Sequence, residues 1–264
     1  MSGRRITAGI AAIIQARMGS TRLPGKTLAD ICGKPLLARV IERVRASRTV
    51  QRTVLATTTD AADNVLVELA RRNNSGTYRG SVNDVLDRYY QTAREFDADI
   101  VVRVTGDDPF KDPEVIDRIV GRFLEDDSMD YVSNTLKPSY PEGLDIEVFS
   151  FEALEKAWME ASLNSDREHV TPYIWRHPER FRTLNVEYHR DLSHLRWTLD
   201  YDQDLRFARE VYARLNPNGM FLMNDILTLL EREPELIAIN SGIKRNEGWL
   251  RSLDADLLLA DQRL

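Results

Sequence analysis

Short apolar runs alternate with amphipathic segments along the first half of the chain. The apolar runs are typical of buried strands: IAAIIQA from Ile10, TVLATTT from Thr53 and DIVVRVTGD from Asp99. Helical periodicity appears between and after them, in PLLARVIERVRAS, AADNVLVELARR, SVNDVLDRYYQTAREF and DPEVIDRIVGRFLEDD. Strands that alternate with helices are typical of a parallel sheet built from βαβ units. The pattern therefore predicts an α/β fold.

The second half of the chain is less regular. The sequence predicts strands in GLDIEVFS, FRTLNVEY and LRWTLD, and helices in FEALEKAWMEAS, REHVTPYIWRHPERF, QDLRFAREVYARL and DILTLLEREPEL. It contains no internal repeat, low-complexity tract or clear linker. We therefore expect one domain over residues 1–264, with a mixed region around residues 136–190.

Composition restricts the class of protein. The chain is 42% hydrophobic and 30% charged, with a net charge of −6, and these values are typical of a soluble globular protein. It contains no apolar run of the roughly 18 residues that a membrane span needs, and we interpret its N-terminal apolar run as a strand rather than a signal peptide. The acidic balance argues against a nucleic-acid binder. A single cysteine, Cys32, fits the reducing cytosol, so we expect a cytoplasmic protein.

The segment GSTRLPGKT, from Gly19 to Thr27, ends like a phosphate-binding P-loop. The P-loop motif has four residues between its glycines, whereas this segment has five, and no helix follows directly. Three cations, Arg17, Arg22 and Lys26, nevertheless lie within ten residues after the first strand. Ligands of open α/β sheets bind beyond the carboxyl ends of the strands, so this basic loop can surround a polyphosphate. The alternative is a solvated loop.

Several motifs carry a resemblance to a known family. The segments IIQARMGSTRLPGKTL, RGSVNDVLDRY, VVRVTGDDPFKDP, GLDIEVFSFEAL, REHVTPYI and RWTLDYDQDL occur in this order. They resemble the cytidylyltransferases, which include the CMP-sugar synthetases for acidic sugars such as sialic acid and KDO. The SpsF-like branch, named for a spore-coat polysaccharide biosynthesis protein, is the most similar. The resemblance implies a three-layer, Rossmann-like (GT-A-like) nucleotidyltransferase fold with a mixed, mainly parallel sheet, and transfer of CMP from CTP.

The nucleotide site implied by the sequence combines the basic loop with residues near other strand ends. The expected nucleotide-binding residues are Gln15, Ala16, Arg17, Gly19, Ser20, Arg22, Lys26, Thr57, Arg79, Gly80, Ser81 and Asp107. Among them we expect catalytic roles for Arg17, Lys26 and Asp107, because charge stabilisation dominates catalysis of phosphoryl transfer. The neighbouring Asp84, Asp87 and Arg88 fit an ordinary charged helix face.

Two aspartates are the expected ligands of a Mg²⁺ cofactor. Asp107 follows a β-run and Gly106, and in the resembled family this aspartate binds magnesium. Asp200 follows the predicted strand LRWTLD and is the second expected ligand. Asp108 is a weaker candidate, and the sequence leaves open whether Asp202 or Asp145 shares the metal. The alternative for these aspartates is a turn or helix-capping role.

The expected acceptor-binding residues lie in the mixed region. Asp145 and Glu147 alternate in the predicted strand GLDIEVFS, so we expect both side chains on one face. Arg167 is the expected partner of an acceptor carboxylate. His169 fits a general base, a ligand of acceptor hydroxyls or a structural histidine. The resemblance also implies a homodimer, and the segment from Ser241 would fold over the site or pack on a partner.

The sequence thus predicts a Mg²⁺-dependent cytidylyltransferase for surface polysaccharide or glycoconjugate synthesis. Its acceptor would be a sugar or another small acidic or phosphorylated compound, and pyrophosphate would be released. Two alternatives stay open at this point: a glycosyltransferase with a nucleotide-sugar donor, and a non-catalytic nucleotide-binding protein. The basic loop favours nucleotidyl transfer, because a nucleotide-sugar has no triphosphate to bind.

Overall fold

The strands of the protein are arranged in one large sheet and one small hairpin. The computed structural model describes residues 9–245 and 247–261. The strands are β1 (Ile10–Gln15), β2 (Asp30–Ile31), β3 (Lys34–Pro35), β4 (Arg52–Thr58), β5 (Gly76–Gly80), β6 (Ile100–Thr105), β7 (Tyr131–Ser133), β8 (Glu147–Ser150) and β9 (Thr183–Asn185). β2 and β3 form the hairpin, and the large sheet has the order β5-β4-β1-β6-β8-β7-β9.

The large sheet is mixed and mainly parallel. β5, β4, β1 and β6 pair in parallel, as do β7 and β9, whereas β8 is antiparallel to both β6 and β7. Parallel neighbours place the carboxyl ends of β1, β4 and β6 at one edge of the sheet. This edge is where the sequence places the basic loop and Asp107.

Ten α-helices are found in the part of the chain that the structure describes. They are α1 (Leu36–Arg45), α2 (Asn64–Arg72), α3 (Val85–Glu95), α4 (Pro113–Leu124), α5 (Phe151–Glu160), α6 (Asn164–His169), α7 (Pro172–Trp175), α8 (Asp202–Leu215), α9 (Met223–Arg232) and α10 (Glu247–Asp261). None of these helices combines the length and apolar character needed to cross a bilayer.

Strand β1 is buried on both of its faces, because helices cover both sides of the sheet. Ile10, Ala12 and Ile14 join the apolar cluster that contains residues of α1, α4, α8 and α9. Ala11 and Ile13, which point the other way, join the cluster that contains residues of α3, α5 and α7. The expected three-layer α/β fold is therefore confirmed, and β1 is a continuous apolar run because both of its faces are covered.

The prediction of a strand in LRWTLD is wrong. Its only pairing among the described residues is an isolated bridge between Arg196 and Glu142. The backbone is nevertheless fixed, since Trp197 N donates to the Glu142 carbonyl over 2.7 Å and Leu199 N to the Asp107 carbonyl over 2.9 Å. Because this stretch bonds to two loops rather than to one strand, it carries Asp200 to the end of β6 without joining the sheet.

Other boundaries also differ from the predicted pattern. In GLDIEVFS, strand β8 begins only at Glu147, so Asp145 lies before the strand rather than in it. REHVTPYIWRHPERF forms two short helices, because Val170 adopts a φ of 73° between α6 and α7. Helix α3 begins at Val85, where the Asp84 side chain accepts the Asp87 N–H and caps the helix.

Candidate functional site

The loops after β1 and β6 meet closely at the carboxyl edge of the sheet. A Cβ atom on Gly106 would lie 2.8 Å from the Gln15 carbonyl oxygen and 2.7 Å from Ala16 Cβ. Gly106 N also donates to the Gln15 carbonyl over 2.9 Å. Only glycine allows this approach, so Gly106 brings Asp107 next to the basic loop of residues 16–27.

A cavity of about 370 Å³, the first cavity, opens between these loops. Many of the expected nucleotide-binding residues line it: Gln15, Ala16, Arg17, Gly19, Ser20, Arg22, Lys26 and Asp107. Thr21 of the basic loop also lines it, as do nine residues that the sequence did not single out as ligands: Thr27, Val85, Arg88, Thr105, Gly106, Glu168, Gly248, Arg251 and Ser252. His169, expected at the acceptor, also lines this cavity. The basic loop is therefore a wall of a cavity rather than a free solvated turn.

Lys26 joins the two expected metal-binding aspartates. Its Nζ donates to Asp107 Oδ2 and Asp200 Oδ1, each over 2.7 Å, and to the Leu199 carbonyl over 2.9 Å. Burial alone would lower the pKa of Lys26, but the charges of Asp107 and Asp200 outweigh it and raise the pKa above its ordinary value. The ammonium is therefore held in its charged form beside the first cavity.

Asp200 is held in place by further partners. Arg22 Nη2 donates to its Oδ1 over 2.6 Å, and the buried Arg196 Nη2 lies 3.4 Å from its Oδ2. The backbone N–H of Asp200 donates over 2.9 Å to Asp204, which also caps the start of α8 through Tyr201 N. Asp200 thus has a fixed position although no strand supports it.

The oxygen atoms around Lys26 have the chemistry of a hard-cation site. Two carboxylates and one carbonyl converge on a single cationic atom, and Mg²⁺ prefers oxygen ligands, with only one or two of them from protein carboxylates. A cluster of three or more histidine, cysteine or acidic side chains that could bind a metal is not found among the described residues. Asp202 is exposed at the start of α8, and Asp145 pairs with Arg245 in another cavity.

Arg88 lines the first cavity, although the sequence predicted it as part of an ordinary charged helix face. It is only 2% exposed, and its Nη1 donates to the Ser81 carbonyl over 2.7 Å, while its Nε has no hydrogen-bond partner among the described residues. The available signal is its spacing, because Val85, Arg88 and Thr92 repeat at i, i+3 and i+7 on the buried face of α3.

Four expected nucleotide-binding residues do not line the first cavity: Thr57, Arg79, Gly80 and Ser81. Thr57 Oγ1 donates over 2.9 Å to Asp63, whose other carboxylate oxygen accepts Met18 N of the basic loop over 2.7 Å. Arg79 donates to the carbonyls of Thr58 and Asp60. These contacts support the loops, and direct nucleotide binding by the four residues stays a prediction.

A second cavity, of about 440 Å³, adjoins the first and shares Thr105 and His169 with it. It contains three of the four expected acceptor residues, since Asp145 and Glu147 line it together with His169. Its other lining residues are Arg103, Thr135, Leu136, Thr171, Pro172, Trp175, Arg245 and Trp249. Two contiguous cavities at one sheet edge can hold two reactants side by side.

Glu147 is buried and fully engaged. It pairs with Arg103, accepts the Tyr131 hydroxyl over 2.7 Å and accepts the Thr171 hydroxyl. Burial alone would raise the pKa of Glu147, but the charge of Arg103 and the hydrogen bonds from Thr171, Tyr131 and Arg103 together outweigh it and lower the pKa. Glu147 therefore carries a fixed negative charge that holds Arg103 at the second cavity.

Arg167 and His169 have different surroundings. Arg167 pairs with Asp84 over 2.7 Å and donates to the carbonyls of Trp158 and Ala161, so it joins helices and lines neither cavity. His169 Nε2 lies 2.9 Å from Ser252 Oγ, and its ring packs edge-on against Trp249. The structure therefore brings His169 to the junction of the cavities and leaves Arg167 outside them.

Two curated relatives are similar along most of the chain. An uncharacterized protein of Methanocaldococcus jannaschii is 36% identical over 89% of this chain and 96% of its own length. The spore coat polysaccharide biosynthesis protein SpsF of Bacillus subtilis is 32% identical over 84% and 94%. The 3-deoxy-manno-octulosonate cytidylyltransferase of Trichlorobacter lovleyi is 39% identical, but over only 44% of this chain and 45% of its own length.

Solved structures agree with the sequence relatives. A cytidylyltransferase from Leptospira borgpetersenii superposes with a TM-score of 0.84 at 31% identity, covering 90% of this chain and all of that one. The family model of the cytidylyltransferases matches residues 11–225, which include the basic loop, Asp107 and Asp200. The chain therefore belongs to the cytidylyltransferase family, within its SpsF-like branch, and is an enzyme of the nucleotidyltransferase class.

Proposed function

We propose that the protein transfers CMP from CTP to a small acidic or phosphorylated acceptor, such as a sugar, and releases pyrophosphate. The observation that carries the proposal is the convergence of Lys26, Asp107 and Asp200 beside the first cavity, with the second cavity directly adjoining it. The first cavity would take CTP, and the second would take the acceptor. This arrangement supports a transfer between two bound molecules better than the binding of one nucleotide alone.

In the proposed reaction, an acceptor oxygen attacks the α-phosphorus of CTP. A new oxygen–phosphorus bond forms, the bond to the β-phosphate oxygen breaks, and the pyrophosphate leaves with that electron pair. Arg17, Arg22 and Lys26 would bind the triphosphate and offset the charge that builds up on the leaving group. Positioning of the two reactants supplies the rest of the acceleration.

His169 has the position and charge state of a general base. It lies at the junction of the two cavities. Burial, followed by the charge of Arg103, lowers the pKa of His169 to about 4, so the imidazole is neutral at pH 7. A neutral imidazole accepts a hydrogen bond, so His169 would orient an attacking hydroxyl and accept its proton only as a weak base, because its pKa lies far below 7. An acceptor that attacks through an ionised group would need no base.

Magnesium is part of the proposal. Asp107 and Asp200 would hold the ion, since both present carboxylate oxygens to one cationic position. When bound, Mg²⁺ supplies positive charge that neutralises the phosphate oxygens. Lys26 would then turn from the aspartates toward the phosphates, because an ammonium and a divalent cation repel each other at one position.

The functions of two relatives support the biological setting. SpsF of B. subtilis is a spore coat polysaccharide biosynthesis protein, and several partial relatives are 3-deoxy-manno-octulosonate cytidylyltransferases. Synthesis of a surface polysaccharide or glycoconjugate in the cytoplasm is therefore proposed for this chain. A homodimer through residues 136–190 is also proposed, because Leu136, Met159 and Leu163 of this region are large, exposed apolar side chains.

Calorimetry with CTP, UTP, ATP and GTP, with and without Mg²⁺, tests the proposal first. We expect selective binding of CTP that Mg²⁺ strengthens, and pyrophosphate release when a panel of sugar acids and sugar phosphates is added. Binding of a nucleotide-sugar but of no triphosphate would replace the proposal with a glycosyltransferase. CTP binding without pyrophosphate release across the panel would favour a non-catalytic binding protein.

A further inference from the structure

The C-terminal helix α10 contributes to both cavities. Gly248, Arg251 and Ser252 line the first cavity, and Trp249 lines the second together with Arg245, which directly precedes the helix region. The family model ends at residue 225, so these residues lie outside the segment that defines the family. The part of the second cavity that they build therefore comes from outside the matched segment.

Helix α10 is docked by specific contacts. The Tyr201 hydroxyl donates to Glu247 over 2.6 Å, Ser165 N donates to Asp256 over 3.1 Å, and the Ser252 hydroxyl donates to Glu168 over 2.8 Å. These contacts are distributed along the helix and involve the segments around α6 and α8. They hold the N-terminal half of α10, which carries Trp249, against the cavities.

Arg245 is the cation that this segment adds to the second cavity. Its Nη2 donates to Asp145, its Nη1 donates to the Tyr140 carbonyl over 3.1 Å, and its Nε has no partner among the described residues. Arg103 is the cavity's other guanidinium, and it is bound to the fully engaged Glu147. Arg103 also pairs with one carboxylate and has an Nε without a partner among the described residues, but the Glu147 side chain is only 8% exposed, whereas that of Asp145 is 27% exposed. The Arg245 pair is therefore the less buried of the two, and Arg245 is the guanidinium better able to share its donors with an anionic ligand.

Trp249 forms an apolar wall beside that cation. Its ring centroid lies 5.6 Å from that of Trp175 at 68°, and 5.2 Å from that of His169 at 86°. Pro172 and Leu136 extend the apolar surface, while Thr135 and Thr171 add hydroxyl groups. An apolar wall with a few placed polar groups suits a ring that has C–H faces and hydroxyl substituents.

We infer that Arg245 and Trp249 determine which acceptor the enzyme takes. Arg245 binds an anionic group of the acceptor, a carboxylate or a phosphate, and Trp249 packs against its polyhydroxylated ring. This inference rests on the proposed function, because it takes the second cavity as the acceptor site. It assigns acceptor recognition to the C-terminal segment and not to Arg167, which lines neither cavity.

The test uses the full chain with saturating CTP and Mg²⁺, and measures pyrophosphate release with sugar acids, sugar phosphates and neutral sugars. We expect Arg245→Gln to raise the KM for the acceptor roughly ten- to a hundredfold, because the acceptor loses a charge-assisted hydrogen bond. Trp249→Ala should raise it roughly tenfold. The KM for CTP should stay within about twofold. Leu250→Ala is the matched control, because Leu250 is exposed on the same helix and lines neither cavity.

The outcomes separate the inference from the proposed function. Failure of the wild-type chain to bind CTP would overturn the proposed function, and the inference with it. Variants that keep the wild-type KM for the acceptor would overturn the inference alone, as would an equal loss of CTP binding in both variants. Turnover with neutral sugars only would overturn the assigned acceptor class, whereas CTP binding with no turnover of any compound of the panel would count against the proposed function itself. Preference for sugar acids or for sugar phosphates identifies the anionic group as carboxylate or phosphate.

Arg245→Gln leaves Asp145 without its cation and can lower stability. The double variant Arg245→Gln/Asp145→Asn removes both charges of the pair and avoids an unpaired carboxylate. We expect it to show the same rise in the acceptor KM with a normal melting temperature. Arg245→Lys keeps the charge but not the planar fork, so it should recover part of the lost affinity. A purely structural role of Arg245 would instead give the double variant a wild-type KM.

Discussion

Lys26 Nζ lies 2.7 Å from Asp200 Oδ1, although the two residues are 174 positions apart in the chain. Lys26 comes from the basic loop after β1, and Asp200 comes from the extended stretch before α8. The pair therefore connects the basic loop in the N-terminal part of the fold with its second half. Asp107 accepts a hydrogen bond from the same ammonium, so charged side chains from three segments of the chain meet at one point.

Replacing Lys26 with methionine should lower the free energy of unfolding and make it increase when Mg²⁺ is added. The two aspartates would lose their shared cation while staying largely buried, and the loss of one partner of a buried ion pair costs about 3 kcal/mol. Added Mg²⁺ would restore part of this loss, because it binds the folded state and not the unfolded state. Urea denaturation with and without Mg²⁺ measures both effects.

Lys34→Met is the control for that experiment. Lys34 pairs with Glu42 at the surface, and exposed pairs contribute roughly 0–1 kcal/mol. A Lys26→Met variant that is as stable as this control and does not respond to Mg²⁺ would contradict the proposal. It would mean that Mg²⁺ does not bind Asp107 and Asp200 at the position of the Lys26 ammonium.

Replacing Arg17 with alanine should weaken CTP binding without destabilising the fold. Arg17 is exposed, and the only hydrogen bond of its side chain among the described residues is a long one, 3.4 Å, from Nη1 to the Val82 carbonyl. Its guanidinium is therefore available for phosphate, and loss of a charge-assisted contact costs roughly 1.5–3 kcal/mol of binding. Calorimetry should show CTP affinity reduced at least tenfold, with the melting temperature unchanged.

The exposed Arg48 gives the matched comparison for Arg17. It lies before β4 and pairs with Asp117, away from both cavities. Arg48→Ala should leave CTP affinity within about twofold of the wild-type value. Equal CTP affinity in the Arg17 and Arg48 variants would show that the first cavity does not bind phosphate through Arg17.

The sequence was most informative where local pattern decides structure. The apolar run of β1 and the Gly106–Asp107 pair after β6 predicted the sheet edge at which the first cavity lies. Asp200 was also expected there, although the strand predicted before it is absent from the described residues. Backbone bonds from Trp197 and Leu199 to two different loops replace that strand, and no local periodicity encodes such bonds.

The sequence predicted that the segment from Ser241 folds over the site or packs on a partner, but it could not identify which of its residues reach the cavities, because this depends on contacts between distant segments. Arg245 meets Asp145 across 100 positions, and Trp249 meets His169 across 80. Arg88 was missed for another reason, because a charged residue on a helix is usually solvated and only its place on the apolar stripe of α3 indicates burial. Arg167 has the right chemistry for an acceptor ligand, but Asp84 binds it outside the cavities.

The neutral state of His169 predicts a specific pH dependence. Its folded-state pKa of about 4 lies below the unfolded value near 6.5. Between these values the unfolded chain binds more protons, so stability falls as the pH drops from about 6.5 toward 4. The contribution amounts to about 2 kcal/mol between pH 7 and pH 5. NMR titration of the imidazole measures the pKa, and denaturation at the two pH values measures the stability.

His169→Gln isolates this contribution from the other titrating groups. The variant should lose about 2 kcal/mol less stability than the wild type between pH 7 and pH 5, because glutamine does not titrate. Wild-type turnover should also show no inflection near pH 6.5 that is assignable to His169. An imidazole that titrates near pH 6.5 would contradict the burial on which both expectations depend.

Arg196 should be among the residues most important for stability. It is 8% exposed, and its guanidinium contacts both carboxylate oxygens of Asp204, over 2.9 and 3.0 Å, and Glu142 over 2.8 Å. Arg196→Met would leave these carboxylates buried without their cation, at a cost of about 3–5 kcal/mol. Urea denaturation should show a large drop in the midpoint, whereas Arg190→Met at an exposed pair should stay within about 0.5 kcal/mol of the wild type.

Arg196→Lys separates charge from geometry at the same position. A lysine keeps the positive charge, but one ammonium cannot contact Glu142, Asp200 and Asp204 as a planar fork does. We expect stability between those of the wild type and Arg196→Met, and a lower kcat, because Asp200 loses a fixed partner beside Lys26. Full stability with full kcat in Arg196→Lys would show that charge alone positions Asp200. A stable variant with reduced kcat would instead show that the fork aligns Asp200 with the first cavity, since one ammonium would then preserve the fold but not the geometry of the site.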